Sequence, residues 1–229
     1  MHIRVKPALN PGAGFFSSIF SATFPRILRL KGKDSKKIGL VNTGEYGDKE
    51  LIELCLKGQE KGYVGLYKRY AVRVYNTISR LVNHQREEAE DLLQEVFVEV
   101  FSKIERMREV DSFEAWTKRV AINKSISQLR KKQKMQFLSL EQTQLSEMSD
   151  KESEESVLKE SRLEEIEKAI EGLPETSRTI VNLFLFEGMS QEDIGKLLDM
   201  SHNAVRSQYH RAKNRIASQV KGREVRKFG

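Results

Sequence analysis

Between Arg86 and Lys134 the chain carries two groups of charged side chains suited to noncovalent recognition, one negative and one positive. Asp91, Gln94, Glu95 and Glu99 lie within REEAEDLLQEVFVEVFSKI so that a helix gathers them on one side as a compact acidic face. The opposite side of that helix is apolar, with Ala89, Leu92, Leu93, Val96, Phe97, Val100, Phe101 and Ile104 at the three-and-four spacing of a buried stripe. The next segment, FEAWTKRVAINKSISQLRKKQK, sets Lys118, Arg119, Lys124, Arg130, Lys131, Lys132 and Lys134 beside the single tryptophan, Trp116. Asp111, with Glu114 three positions on, reads as a capping box that opens this second helix. One small helical unit thus offers both an acidic and a basic surface, which is what binding a positive protein surface and nucleic acid together requires.

Covalent chemistry has little support. There is no phosphate-binding glycine loop, no serine on a nucleophile elbow and no carboxylate pair with a base nearby. His2, His84, His202 and His210 are not grouped with carboxylates or thiols at ligand spacing, so no metal, cofactor or catalytic residue is expected. The single cysteine, Cys55, excludes a disulfide framework and falls on an apolar helix side, where a thiol acts as a small hydrophobe. A cytoplasmic chain is expected. Its formal charge of +7 over 229 residues favours a polyanionic partner, a trait shared with ribosome-associated and membrane-surface proteins.

The elements that must position these residues read as helices throughout. DKELIELCLKG opens the pattern at Asp48, and Gly58 and Gly62 bracket a short turn. A long amphipathic helix follows, with Tyr63, Leu66, Tyr67, Tyr70, Val74, Ile78 and Leu81 on one stripe that reads as core and not as a ligand cage. With the acidic and basic helices this makes a bundle of about four helices over 48–134. Residues 135–161, FLSLEQTQLSEMSDKESEESVLKE in their middle, are rich in Ser, Glu and Gln and read as a flexible acidic linker that buries too little apolar surface to order itself.

Periodicity returns in RLEEIEKAIEGLPETSRTIVNLFLFEGMS, where Pro174 separates two helices that fold back on each other. Ser190 with Asp193 forms a capping box for QEDIGKLL, a tight turn follows at Asp199 and Met200, and Ser201 caps the next helix. Val205, Tyr209, Ala212 and Ile216 are its inner stripe, set against Ile194 and Leu198. The pattern is a helix-turn-helix. Its second helix turns out His202, Asn203, Arg206, Ser207 and His210, flanked by Arg211, Lys213 and Arg215. Early residues of such a helix meet base edges in the major groove; Arg206 can fork onto a guanine and Asn203 can pair with an adenine.

DLLQEVFVEVF followed by FEAWTKRVAINKSISQLR resembles the core-binding and promoter-melting regions of bacterial sigma factors of the extracytoplasmic-function (ECF) type, within the sigma-70 family. The most specific residues are Asp91, Gln94, Glu95, Phe97, Phe113, Trp116, Ala121, Asn123 and Arg130. GLPETSRTIVNLFLFEGMSQEDIGKLLDMSHNAVRSQYHRAKNRI resembles the promoter-binding domain of the same family. The resemblance implies an all-α protein of two small helical domains on a flexible acidic linker, the C-terminal one a helix-turn-helix. It also implies a specificity subunit of RNA polymerase that contacts the beta-prime and beta subunits and promoter DNA. Asp91, Gln94 and Glu95 would dock on core polymerase. Trp116, Lys118, Arg119, Asn123 and Arg130, with the loop Glu105 to Asp111, would hold the melted minus-ten element. His202, Asn203, Arg206, Ser207, His210 and Arg211 would read the minus-thirty-five element. The linker of this family threads the polymerase's active-centre and RNA-exit path, and an anti-sigma protein is a partner the residues neither require nor exclude.

The chain departs from the family at three places. Asp199 stands where glycine is common, Gln208 and Tyr209 replace an Arg-Leu pair, and residues 1–47 have no counterpart. That extension is expected to be disordered, or to be translated from upstream of the true start, with Val41 an alternative first residue. Its apolar run from Gly14 to Phe24 is too short to span a bilayer, although a positive start before it also resembles a weak secretory signal or an interfacial anchor. Beyond residue 221 a basic tail, 222–229, is expected. The alternative function is a free-standing helix-turn-helix regulator, which would dimerise on symmetric half-sites; no dimer seam stands out in the first domain.

Overall fold

The computed structural model describes residues 46–109, 112–140 and 162–226, and the expectations for residues 1–45 of the N-terminal extension, for Asp111, for 141–161 and for 227–229 lie outside them. The last two residues of the extension, expected to be disordered, are instead held in place: Tyr46 packs against the first core and its carbonyl accepts from Arg69 at 2.6 Å, and the Gly47 amide donates to Glu50 at 2.6 Å. The described residues form eight α-helices and one 3-10 helix, with no strand among them. Two compact units divide within one helix, after Ser125.

The first unit is built on α1 (Asp48–Leu56), α2 (Glu60–Leu81), α3 (Arg86–Ser102), a 3-10 helix (Ile104–Glu109) and the first half of α4 (Phe113–Leu140). The whole aromatic stripe of α2 is buried, as its spacing requires. Tyr63 meets Phe101 edge-on at 5.1 Å between ring centroids, Tyr67 meets Phe97 at 4.8 Å, and Tyr70 lies against Phe113 at 5.3 Å. These three contacts sew α2 to α3 and to the start of α4, with the offset geometry that aromatic quadrupoles favour. The turn before α2 is shorter than Gly58 and Gly62 suggest, because α2 already begins at Glu60. Gly58 takes the left-handed conformation, φ 71°, whereas Gly62 lets two helices touch: a Cβ there would lie 2.6 Å from both the Cys55 nitrogen and the Leu51 carbonyl oxygen. Cys55 is fully buried, and burial pushes its thiol up to about 12, which makes it an inert hydrophobe at neutral pH.

Ser112 caps α4. Its hydroxyl accepts from the Ala115 amide at 3.2 Å, and Glu114 pairs with Arg73 at 3.0 Å. The helix passes Lys134 and continues to Leu140, so the first residues assigned to the linker are helical.

The second unit holds α5 (Arg162–Glu171), α6 (Glu175–Leu185), α7 (Gln191–Leu198) and α8 (His202–Arg226). Pro174 sits immediately before α6, as its missing amide and fixed φ favour. The carbonyls left open where α5 ends are taken up by Arg178, whose guanidinium donates to the Glu171 and Leu173 oxygens at 3.1 and 3.0 Å. Ser190 caps α7 by accepting from the Asp193 amide at 3.1 Å, while the Asp193 carboxylate accepts from the Ser190 hydroxyl, so only half of the expected capping box forms. Ile180, Leu183, Ile194 and Val205 are fully buried among these helices. The last helix extends to Arg226, and the start of the expected basic tail is therefore helical.

Candidate nucleic-acid interface

The turn that sets the recognition helix is the most local part of the site. α7 ends on Asp199 in the left-handed conformation (φ 56°, ψ 45°), a shape that aspartate adopts more readily than most residues. The Met200 amide returns to the Gly195 carbonyl at 2.9 Å, and a Cβ on Gly195 would lie 2.7 Å from the Met200 oxygen, so glycine is required for α7 to pass this close to the turn. Ser201 then accepts from the Ala204 amide at 3.2 Å and starts α8.

On α8 the inner stripe of Val205 and Ala212 is buried, with Tyr209 and Ile216 packed against the same small core. His202, Asn203, Arg206, Ser207, His210 and Arg211 are all exposed, and their numbering places them within about half the circumference of the helix. The six residues assigned to the minus-thirty-five element therefore share one open surface. Gln208 and Tyr209 face the other way. The Gln208 side-chain oxygen accepts from the Ser177 hydroxyl at 3.0 Å, and the Tyr209 ring lies 4.6 Å from that of Phe184. Both departures from the family pattern thus fasten α8 to α6.

On α4 the outcome is mixed. Trp116, Arg119 and Asn123 recur at intervals of three and four and form one outward stripe; Trp116 is half-buried against the core, and the other two are exposed. Lys118 is half-buried and, by register, lies on the far side of the helix from that stripe. Arg130 falls in the second unit, where its guanidinium donates to the Leu197 carbonyl at 2.6 Å. By register Arg130, exposed and seven residues beyond Asn123, lies on the same side of α4 as the stripe, so Lys118 is the one residue of the five assigned to the minus-ten element that falls off that side. In the segment Glu105 to Asp111, Glu105 and Arg106 are exposed and Met107 is buried, holding the short 3-10 turn onto the core.

On α3, Asp91 and Glu95 are exposed and Gln94 is half-buried beside them. Val98, 42% exposed, continues the same stripe and adds an apolar side chain that the charged pattern does not reveal. Glu99 is drawn inward: its carboxylate takes Lys103 at 2.6 Å on one oxygen and Lys124 at 3.3 Å on the other, and the Lys103 hydrogen bond foremost holds it below the ordinary carboxylate range. Lys124 also reaches Glu95, at 3.1 Å. Burial works against the Lys124 charge, but hydrogen bonds and attraction from the two glutamates outweigh it and raise its pKa. Sequence periodicity finds each of these residues but not the bridge, which depends on how two helices are set against each other.

No group of three or more His, Cys, Asp or Glu side chains able to hold a metal ion occurs among the described residues, and none of their helices is long and apolar enough to cross a membrane.

Residues 66–135 match the family model for Sigma-70 region 2, and residues 163–216 match that for Sigma-70, region 4. The chain is 29% identical over 181 residues to the ECF RNA polymerase sigma-E factor of Haemophilus influenzae, covering 76% of this chain and 95% of that protein. It is 29% identical to the RNA polymerase sigma-H factor of Pseudomonas aeruginosa, over 74% of this chain and 91% of the relative. Among solved structures, the sigma factor RpoE in complex with the anti-sigma factor NepR from Bartonella quintana is similar at 20% identity and a TM-score of 0.45, covering 68% of this chain and 94% of that one. The region 2 match takes in the acidic stripe of α3 and the Trp116 stripe of α4, the region 4 match takes in the recognition helix, and a free-standing helix-turn-helix regulator accounts only for the latter. With both regions in family order across more than half of its length, the chain belongs to the sigma-70 family, as a sigma factor of the extracytoplasmic-function type.

Proposed function

We propose that this sigma factor directs RNA polymerase to its promoters through three separate side-chain surfaces, and that it acts by binding and not by catalysis. Asp91, Gln94 and Glu95 dock on the positive clamp helices of the beta-prime subunit, where opposite charge steers the encounter and fixes register. Trp116, Arg119 and Asn123 capture bases of the melted minus-ten element, since a base outside the stack exposes both its pairing edge and its face. Lys118 lies on another side of α4, and Arg130, seven residues beyond Asn123, joins the stripe once its guanidinium leaves the Leu197 carbonyl. His202, Asn203, Arg206, Ser207, His210 and Arg211 read the minus-thirty-five element as duplex, with Arg206 and Asn203 on base edges.

The domains that carry these surfaces are 48–134 and 162–221. The acidic stretch between them, 135–161, occupies positive ground in the polymerase meant for RNA. The site of action is the cytoplasm, where chromosome and polymerase are. The observation that carries this reading is the occurrence, in one chain, of an outward acidic stripe on α3 and outward polar, cation-bearing stripes on α4 and α8.

Run-off transcription with purified core polymerase on a library of genomic promoters tests it; defined products that require this chain are expected, and their absence would overturn the function. Asp91→Arg with Glu95→Arg should abolish co-purification with core while the helical circular dichroism signal stays intact. Normal yield from that double variant would show that the acidic face is not the docking surface.

A further inference from the structure

Lys124 follows Asn123 directly on the helix proposed to hold melted DNA, yet its side chain points to the helix proposed to hold polymerase. Its Nζ lies 3.1 Å from one oxygen of Glu95 and 3.3 Å from one of Glu99. The side chain of Lys124 is 25% exposed and that of Glu99 33%, but that of Glu95 is 61% exposed. One of the two carboxylates is therefore open to a partner, and the other is withdrawn. Glu99 is also pinned from its own helix by Lys103 at 2.6 Å.

We propose that Lys124 is a positioning residue held by two carboxylates of unequal availability: in the free chain it clasps α4 to α3 through Glu95 and Glu99, and on docking it yields Glu95 to polymerase while keeping Glu99. This rests on the reading of α3 as the docking face and α4 as the melting face.

Two physical consequences follow from the arrangement. A lysine ammonium beside Glu95 offsets the negative charge that a positive partner needs, so Lys124 competes with polymerase and lowers the affinity of the free chain for it. The same lysine, tied through Glu99 to a helix already fixed by polymerase, keeps Asn123 in place during DNA opening. Docking and opening are then linked through one side chain, in opposite senses. A residue that merely stabilised the bundle would affect both in the same direction.

The test uses the full chain with core polymerase and two variants, Lys124→Met, which keeps length and removes charge, and Glu99→Gln. Core affinity is read by fluorescence titration, and opening is read on a duplex promoter and on one already melted across the minus-ten region. Lys124→Met should bind core roughly two- to five-fold more tightly, the range expected of releasing an exposed ion pair, and the gain should shrink at high salt. It should also open duplex promoter several-fold more slowly, with recovery on the melted template. Glu99→Gln should leave core affinity within about two-fold and slow opening alone. Unchanged or weaker core binding by a folded Lys124→Met overturns the proposal, as does normal opening by Glu99→Gln; the second variant decides the matter if the first does not fold. The docking reading fails separately, if reversal of Asp91 and Glu95 leaves core binding intact.

Discussion

Helices α4 and α8 both carry candidate DNA contacts, and they are held in opposite ways. In α4, Phe113, Thr117, Ala121, Ile122, Ser125, Ile126 and Leu129 are all buried, a face so broad that Trp116, Arg119 and Asn123 emerge as a narrow ridge. In α8, Val205 and Ala212 are the deeply buried residues of the recognition half, leaving six candidate contacts on an open, convex side. A narrow ridge beside a half-buried ring suits capture of a base already out of its stack, whereas a wide convex face suits the major groove of intact duplex. On the proposed function, this difference in seating matches two states of the same DNA, melted on α4 and duplex on α8.

The largest expected effect breaks the seats themselves. Phe113 is 2% exposed and packs on Tyr70, so Phe113→Ala should destabilise the first unit by about 3–5 kcal/mol, by lost transfer energy plus the cavity left behind. Val205 is fully buried but small, and Val205→Ala should remove about 2 kcal/mol from the second. Urea unfolding of the two variants checks the order. Equal losses would mean that α8 is seated as deeply as α4.

A smaller effect sharpens the functional half of the comparison. Arg206→Ala removes a proposed fork onto a base, and a loss of about 1–3 kcal/mol in promoter affinity is expected, concentrated at one position of the upstream element. Asn123→Ala should instead slow opening, because unpairing and unstacking a base takes a few kcal/mol that its capture offsets. A template melted across the minus-ten region should rescue Asn123→Ala and leave the Arg206→Ala defect in place. Equal rescue of both, or binding of the isolated chain to a palindrome without polymerase, would break the distinction and favour a free-standing regulator.

Much of each seat was legible because helical period alone decides which side of a helix is buried. The Tyr63 to Leu81 stripe, the inner stripe of α8 and its outer face all fall where their spacing puts them. The turn at Asp199 was legible too, since few residues besides glycine enter the left-handed region easily. What periodicity does not carry is the register between helices. The resemblance assigned Lys118 to the melting site, although by register Lys118 lies well round the helix from Asn123, and periodicity had no means of placing Lys124 against Glu95. Nor does it set Gln208 against the Ser177 hydroxyl, 31 residues away. Nor does spacing single out Ser112, next to Asp111, as a cap of α4. The Ser112 hydroxyl accepts from Ala115.

That cap offers a control of the comparison, because both helices begin alike. Ser112 accepts from Ala115 and Ser201 from Ala204, each at 3.2 Å. Ser112→Ala and Ser201→Ala should therefore each lower stability by about 1 kcal/mol, visible in thermal denaturation. Their functional effects should differ: Ser201 adjoins His202 and Asn203, so fraying there should weaken upstream-element binding, while Ser112→Ala should be felt in opening. Identical transcription defects would show that the two helix starts are not functionally distinct.

The smallest effect concerns the two turns in which, among the described residues, a residue other than glycine has positive φ. Asp199 before α8 has φ 56°, and in the first unit Asn83 and His84, ahead of α3, have φ 55° and 56° in succession. Each position strains an L-residue, less for Asn and Asp than for others, and a glycine would relieve that strain while giving the unfolded chain more freedom to lose. The two terms nearly cancel, leaving a net gain of about 0.5 kcal/mol for Asp199→Gly, or roughly 2–4 °C in the melting temperature of a unit this size. Asn83→Gly should gain a similar amount, whereas His84→Gly should not, since it also removes the contact of the imidazole Nδ1 with the Ser79 hydroxyl at 3.1 Å. Differential scanning calorimetry of the three variants separates these cases. A loss of stability in Asp199→Gly would mean that the aspartate side chain holds the turn in a way its conformation alone does not show, and the two turns would then cease to be equivalent.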